Sequence, residues 1–368
     1  MDIKIDEIVK QVLSEIDAPS RPVQPKTTFV LEETPALTGR EVGKTAVLDS
    51  QEDYMIKNYV LPEVGPKEIL VCVEGCMISP SDVTEFLKER RAAGSSAQGQ
   101  EGTGIIVKVG SENLQDAKGN VLKVGDKVIA AKKAGFGGVS TYGGRKANTV
   151  APNGWFANYI VLPAGQQVYQ VNGLDLESRL LITRSISIYT EVERMSKMCK
   201  LDADKTAVVL GCGMEGLLTV AALKTLGINK IIVIDKESEK SRAMEFGAWE
   251  FIGSHGKNGV AGVKDKIRAA GDMADAVFIC TDSPMGRNVA RRFMKNSGSI
   301  CEMGFLCGWR RTPTARYFED SMPAGGRFYA ARDYENCMNF LAKAAEMKLP
   351  LYKLITHRYK LEEINEAM

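Results

Sequence analysis

The chain has 368 residues but only two histidines, His255 and His357, and none of its eight cysteines form a CxxC pair. Two histidines rule out a histidine-rich metal centre. Without CxxC spacing there is no sign of a zinc knuckle or a thioredoxin-type redox site. No apolar run is long enough to span a bilayer, and no secretory leader with a basic start and an apolar centre is present, so the expected location is the cytoplasm. Neither charge is in excess: 48 Lys and Arg against 46 Asp and Glu leave a net +2, which gives no reason to expect nucleic acid as a partner. Internal repeats and low-complexity tracts are also lacking.

What remains is ordinary globular composition, 44% hydrophobic and 26% charged, in a chain long enough for two cores. Several cysteines sit in strand-like apolar runs ("LVCV", "VFIC", "SICEM") and are expected to be buried reduced thiols. Residues 1–17 form an amphipathic pattern, with Ile5, Ile8, Val9, Val12, Leu13 and Ile16 on one helical stripe. Residues 18–26 hold three prolines and read as an extended, semi-stiff linker. From 27 to 171 short β-like runs alternate with Gly, Pro and Asp, and "AGFGGVSTYGGRK" reads as a mobile excursion. From 172 to 329 strands alternate with helices, the signature of a doubly wound parallel sheet. Residues 330–368 read as a helix, a strand-like "LITHRYK" and the start of another helix.

The most informative motif is "VVLGCGMEGLLTV" followed by "KIIVID". A strand runs into Gly211-Cys-Gly213-Met-Glu-Gly216, a helix follows, and a second strand ends on Asp235. Gly211 permits the tight turn, Gly213 lets backbone approach a pyrophosphate, and Gly216 lets helix and strand pack closely. The helix start, including Met214 and Glu215, offers unpaired N–H groups and partial positive charge to phosphates. Asp235 is placed to accept a ribose 2′-hydroxyl and would repel a 2′-phosphate, which Lys236 alone does not offset. NAD(H) is therefore the expected cofactor, in preference to NADP(H).

Together with "GPKEILVCVEGCMISPSDV", "GQEGTGIIVKVG", "LKVGDKVIAA", "GWFANYIVLP" and "LITHRYKLEEINEAM", the chain resembles the medium-chain dehydrogenase/reductase superfamily, its alcohol and polyol dehydrogenase group above all. The resemblance runs from about residue 45 to Met368, where the family's pattern continues into a further strand. It implies an α/β fold: a GroES-like β-rich catalytic domain (27–171, rejoined by 330–368), a Rossmann parallel-sheet domain (172–329) and an active site in the cleft between them. It also implies a small carbonyl or alcohol substrate and a homo-oligomer. The family's catalytic zinc ligands map onto Ser79, Gln100 and a position near Ile182 or Thr183, and its structural zinc lobe has no cysteine here between Met77 and Met198. Serine and glutamine are poor zinc ligands, so the expected metal content is none. Glu101 and Asp82 are the carboxylates left to offer a metal, and Glu101 is also counted among the candidate catalytic residues. Cys76 matches a non-ligand cysteine of the family.

Without a Lewis acid, an oxyanion needs hydrogen-bond donors. Ser79, Ser81 and Gln100 are the candidate set, Ser81 standing where the family keeps its proton-relay hydroxyl. Tyr189 is a further donor candidate. "SPSD" equally well makes a turn and helix N-cap. Two other readings stay open: reduction of an enone, quinone or enoyl thioester, as in zinc-free branches of the superfamily, and a non-catalytic NAD(H)-binding protein. Residues 1–17 resemble the encapsulation peptides of bacterial microcompartment cargo, which implies a shell or cargo protein as partner. A helix used for oligomerisation, or folded back on its own domain, fits the same pattern.

Overall fold

The computed structural model describes residues 42–50, 52–79, 82–83, 86–87, 99–130, 154–163, 168–254, 259–269, 273–281, 284–303 and 331–368. The expected helix at 1–17, the linker at 18–26, the glycine-rich excursion and Ser81 lie outside these residues. The chain divides into two compact units: Met1–Arg184 with Gly326–Glu335 and Ile355–Met368, and Ser185–Gly325 with Asn336–Leu354. No helix among the described residues is long and apolar enough to cross a membrane.

The first unit is antiparallel. β1 (Val42–Ser50) and β2 (Asp53–Val60) form a hairpin. β3 (Glu68–Met77), β4 (Glu101–Val109), β5 (Lys127–Ala130), β6 (Tyr159–Pro163) and β7 (Val168–Gln170) make a five-stranded sheet in the order β6-β3-β4-β5-β7. The strands alternate β-branched and aromatic residues inward, and Ile69, Val71, Ile106, Val128, Ile160 and Val168 close over the fully buried Trp155. Two glycines of "GQEG" admit that aromatic segment. A Cβ on Gly102 would collide with the Trp155 ring, and one on Gly99, which adopts φ +93°, would lie 2.7 Å from the Phe156 nitrogen. This close approach fixes the backbone that carries Gln100 and Glu101.

α1 (Leu176–Met198) leaves this unit, and the division between units falls inside it, at 184/185. The expected boundary at 171/172 marks where strands give way to helix; the change of packing partners comes later because one continuous helix carries the chain across. The C-terminal expectation is corrected as well. α6 (Ala331–Glu346) begins in the first unit, but Asn336–Leu354 packs with the second, and Tyr189 stacks on Phe340 at 4.8 Å there. "LITHRYK" forms no strand. Its first residue ends a 3-10 turn, Leu351–Leu354, and the rest has no regular structure; a second 3-10 turn, Leu361–Glu363, then leads into α7 (Ile364–Ala367).

The second unit is a parallel sheet in the order β10-β9-β8-β11-β12, with helices between its strands. Its elements are β8 (Thr206–Leu210), α2 (Met214–Thr225), β9 (Lys230–Asp235), α3 (Lys240–Glu245), β10 (Glu250–Gly253), α4 (Gly259–Ala269), β11 (Ala274–Ile279), α5 (Pro284–Phe293) and β12 (Met294–Glu302). β8 and β9 are near-continuous apolar runs because both faces of a parallel sheet are covered. Most described cysteines are buried, as expected, but Cys199 is only partly so. Hydrogen bonding from Cys301 and then Ser299 holds its thiol down to about 6.

α1 is fastened to the β3–β4 hairpin by charge. Arg179 is fully buried and ion-pairs with Glu74, its Nη1 also donating to Thr103 Oγ1 at 3.1 Å and its Nε to the Asp175 carbonyl at 3.2 Å. Glu74 is the extra residue of a bulge between Val73 and Gly75, which re-aims its side chain. Removing one member of a buried, fully bonded pair leaves an uncompensated charge, so Arg179→Leu should destabilise the first unit by about 3–5 kcal/mol. Thermal or urea denaturation followed by far-UV circular dichroism checks this; an unchanged midpoint would contradict it.

Candidate functional site

In the second unit the strand order reverses between β8 and β11, and both strands end at one place. Gly211 follows β8 with φ +101°, and a Cβ there would lie 2.7 Å from the Cys280 carbonyl oxygen beyond β11. Open parallel sheets bind ligands at such a switch point, beyond the carboxyl ends of the strands. A Cβ on Gly216 would collide with the Gly211 carbonyl oxygen, so helix and turn are in close contact. Gly213 differs: a Cβ there would meet nothing within 4 Å, and as N-cap of α2 it leaves the helix start without a side-chain cap. Met214 and Glu215 form the first turn.

Asp235 ends β9, and its carboxylate already faces the loop. It accepts the Cys212 N–H at 2.6 Å and the Lys236 N–H at 2.7 Å. A carboxylate has about four acceptor positions, so two backbone donors leave capacity for hydroxyls. Lys240 and Arg242, basic residues just beyond, pair with Glu237 and Glu239. All seven expected dinucleotide residues thus fall around one loop and helix start, in an arrangement that fits a dinucleotide.

In the first unit Ser79 and Gln100, the positions compared with metal ligands above, lie at the β3–β4 end. Ser79 is buried; its N–H and its Oγ both donate to Asp82 Oδ2, at 2.9 and 2.5 Å, while the Asp82 N–H returns to the Ser79 carbonyl. The Asp82 carboxylate thus closes the turn on the Ser79 N–H and hydroxyl while the backbone closes it from the other side, so the turn reading of "SPSD" describes what Ser79 and Asp82 do. Gln100 is partly exposed. Cys76 lies close to Asp82 and Glu101, and burial, then repulsion from Asp82, pushes its thiol up. At the third ligand position Ile182 is core, and the Thr183 hydroxyl donates to the Leu180 carbonyl at 2.7 Å. Among the described residues no three His, Cys, Asp or Glu side chains converge as a metal site. Hydroxyl, amide and aliphatic groups do not fit zinc.

The next residue was not singled out by sequence reasoning. Arg184, on α1, donates from Nη1 to Glu101 Oε1 at 2.7 Å, with both side chains buried. The available signal was one basic residue inside the apolar run "LLITRSISIY", beside the lost third ligand. Tyr189 lies farther along α1 in the second unit, packed on Phe340, and burial pushes its phenol up to about 12.

Gly213→Val and Gly216→Val should separate binding from folding. The first should leave the melting temperature near the parent's while weakening NADH binding by at least about tenfold, because the side chain covers the phosphate approach. The second should lower the melting temperature through its clash. NADH fluorescence titration and thermal melts read both, and unaltered binding in Gly213→Val would count against the site.

Residues 65–173 match the alcohol dehydrogenase GroES-like domain. Sorbitol dehydrogenase of Bombyx mori is 24% identical over 88% of this chain and 93% of its own length. An alcohol dehydrogenase structure from Thermotoga maritima superposes with a TM-score of 0.73 at 22% identity, covering 89% of this chain and 95% of that one. A structure from E. coli CFT073, described as a short chain alcohol dehydrogenase complexed with NADH, gives 0.68 at 20% identity over 89% of this chain and 95% of that one. The chain thus combines an antiparallel unit that matches the alcohol dehydrogenase GroES-like domain with a parallel sheet of Rossmann type, the α/β fold of these structural neighbours.

Proposed function

We propose that the protein is an NAD(H)-dependent oxidoreductase that interconverts a small alcohol and its carbonyl compound without a zinc ion. The observation that carries this is Asp235, set at the switch point beside an uncapped helix start and an open Gly213. Gly211, Gly213 and the first-turn N–H groups of Met214, Glu215 and Gly216 would hold the pyrophosphate, and Asp235 the adenine ribose. The bound nicotinamide supplies or accepts hydride. Structural neighbours carry either NADH or NADP, so the choice here rests on this chain's own charges. The Asp235 carboxylate opposes a 2′-phosphate, and the basic side chains of Lys240 and Arg242 are already paired. Relatives named sorbitol dehydrogenase, D-xylulose reductase and butanediol dehydrogenase support an alcohol–carbonyl couple over an enone, quinone or enoyl thioester.

NADH should bind at least about tenfold more tightly than NADPH, and Asp235→Ala should remove most of that difference. Parallel fluorescence titrations measure it, and tighter NADPH binding by the parent would overturn the cofactor assignment. Protein purified without added zinc or chelator should carry well below one zinc per chain and keep its turnover in chelator. We also propose that residues 1–17 dock on a microcompartment shell or cargo protein within the cytoplasm. Deleting them should leave turnover intact and abolish co-localisation with shell protein; persistent co-localisation would refute the docking role.

A further inference from the structure

Resting on the oxidoreductase reading above, we propose that Glu101 and Arg184 act as a catalytic pair at the vacated metal position. In this pair Glu101 Oε2 takes the substrate's hydroxyl proton and the Arg184 guanidinium holds the oxygen. The two ion pairs made by α1 differ in a telling way. At Arg179 the guanidinium serves Glu74, the Thr103 hydroxyl and the Asp175 carbonyl together, as a structural clamp should. At Arg184 the partner carboxylate uses only one oxygen. Oε1 receives the guanidinium, whereas Oε2 is buried and has no hydrogen-bond partner among the described residues. The Glu101 side chain is 8% exposed. An idle carboxylate oxygen at that depth is costly, since buried acceptors are nearly always satisfied, and it suits a position kept for a ligand.

The location agrees. Glu101 opens β4, directly after the partly exposed Gln100, so the buried oxygen lies one residue from solvent-reachable chain. Arg184 follows the core residue Ile182 and the back-bonded Thr183, the stretch that aligns with the third metal ligand. A guanidinium stays charged at all working pH values and offers a rigid fork of N–H donors, so it can bridge a carboxylate and a substrate oxygen. In the oxidation direction the hydroxyl proton passes to Glu101 and the C–H electron pair leaves as hydride to the bound nicotinamide. The C–O bond becomes C=O, its oxygen held by Arg184. Reduction reverses each transfer.

The local charge also selects the substrate. Asp82 and Glu101 both lie beside Cys76, and Arg184 supplies one positive charge near them. Among these described groups the two carboxylates outnumber the cation, so the site should reject an anionic reacting end. Small uncharged aldehydes, ketones and alcohols fit; 2-oxo acids do not.

The test uses the full chain with NADH and a panel of small aldehydes, ketones, enones and 2-oxo acids. Glu101→Gln and Arg184→Gln should each lower kcat by about a hundredfold or more, with Arg184→Lys recovering part of the loss. A readout independent of turnover is the affinity of a small aliphatic amide for the NADH complex, since its carbonyl accepts hydrogen bonds but is not reduced. That affinity should fall by about tenfold in Arg184→Gln and change little in Glu101→Gln. If single variants fail to fold, Glu101→Met combined with Arg184→Leu removes both charges together and should fold, bind NADH and be inactive. Turnover near the parent's in any charge-removing variant that folds overturns the pair, as does preferred use of 2-oxo acids. A parent that binds NADH yet turns over no panel member sinks the oxidoreductase reading itself, and the pair with it.

Discussion

The β3–β4 hairpin and the first turns of α1 are joined by two buried guanidinium–carboxylate pairs, and the geometry of the first unit's site depends on them. Elsewhere on this fold a metal can tie the loop after β3, the start of β4 and the helix together. Here Arg179–Glu74 and Arg184–Glu101 bind helix to hairpin, while the bonds of Ser79 to the Asp82 carboxylate close the loop on itself. Each charge is desolvated, so each is tolerable only with its partner in place. The same pairing that holds the hairpin therefore leaves a fixed cation and a carboxylate side by side at the start of β4.

The second unit solves a different problem with backbone instead of charge. Gly211 takes a left-handed conformation against the Cys280 carbonyl, Gly216 lets α2 start immediately beneath the turn, and Gly213 leaves the helix end bare. Asp235 meanwhile bonds the loop's own Cys212 N–H, so the acid that would receive a ribose also braces the turn that would receive the phosphates. Such a loop needs little rearrangement to bind, which limits the ordering cost of association.

The parallel sheet was legible because its strands are apolar on both faces and its glycines sit at fixed steps after β8. Ser79, Gln100 and Glu101 were locatable from the flanking "EILVCV" and "GTGIIVKV" strands, which fix where the chain turns. Arg184 was not, because its significance lies in a contact across 83 residues of sequence. A lone arginine in an apolar run says only that a partner is required. The unit boundary escaped for a related reason: strand-to-helix change is a local pattern, whereas allegiance to a core is not. The strand-like "LITHRYK" has β-forming residues but no neighbouring edge to pair with among the described strands, and propensity without a partner does not make a strand.

A zinc-free reaction, as proposed above, places different demands on the site from a metal-assisted one. A zinc ion polarises a carbonyl by direct bonding and lowers the pKa of an alcohol bound to it, whereas arginine offers one delocalised charge through hydrogen bonds. The alcohol must then part with its proton to a neighbouring base rather than to solvent through the metal. A carboxylate fixed beside the cation is the arrangement that meets this need. Weaker polarisation also favours carbonyls that are already electrophilic, aldehydes above unactivated ketones.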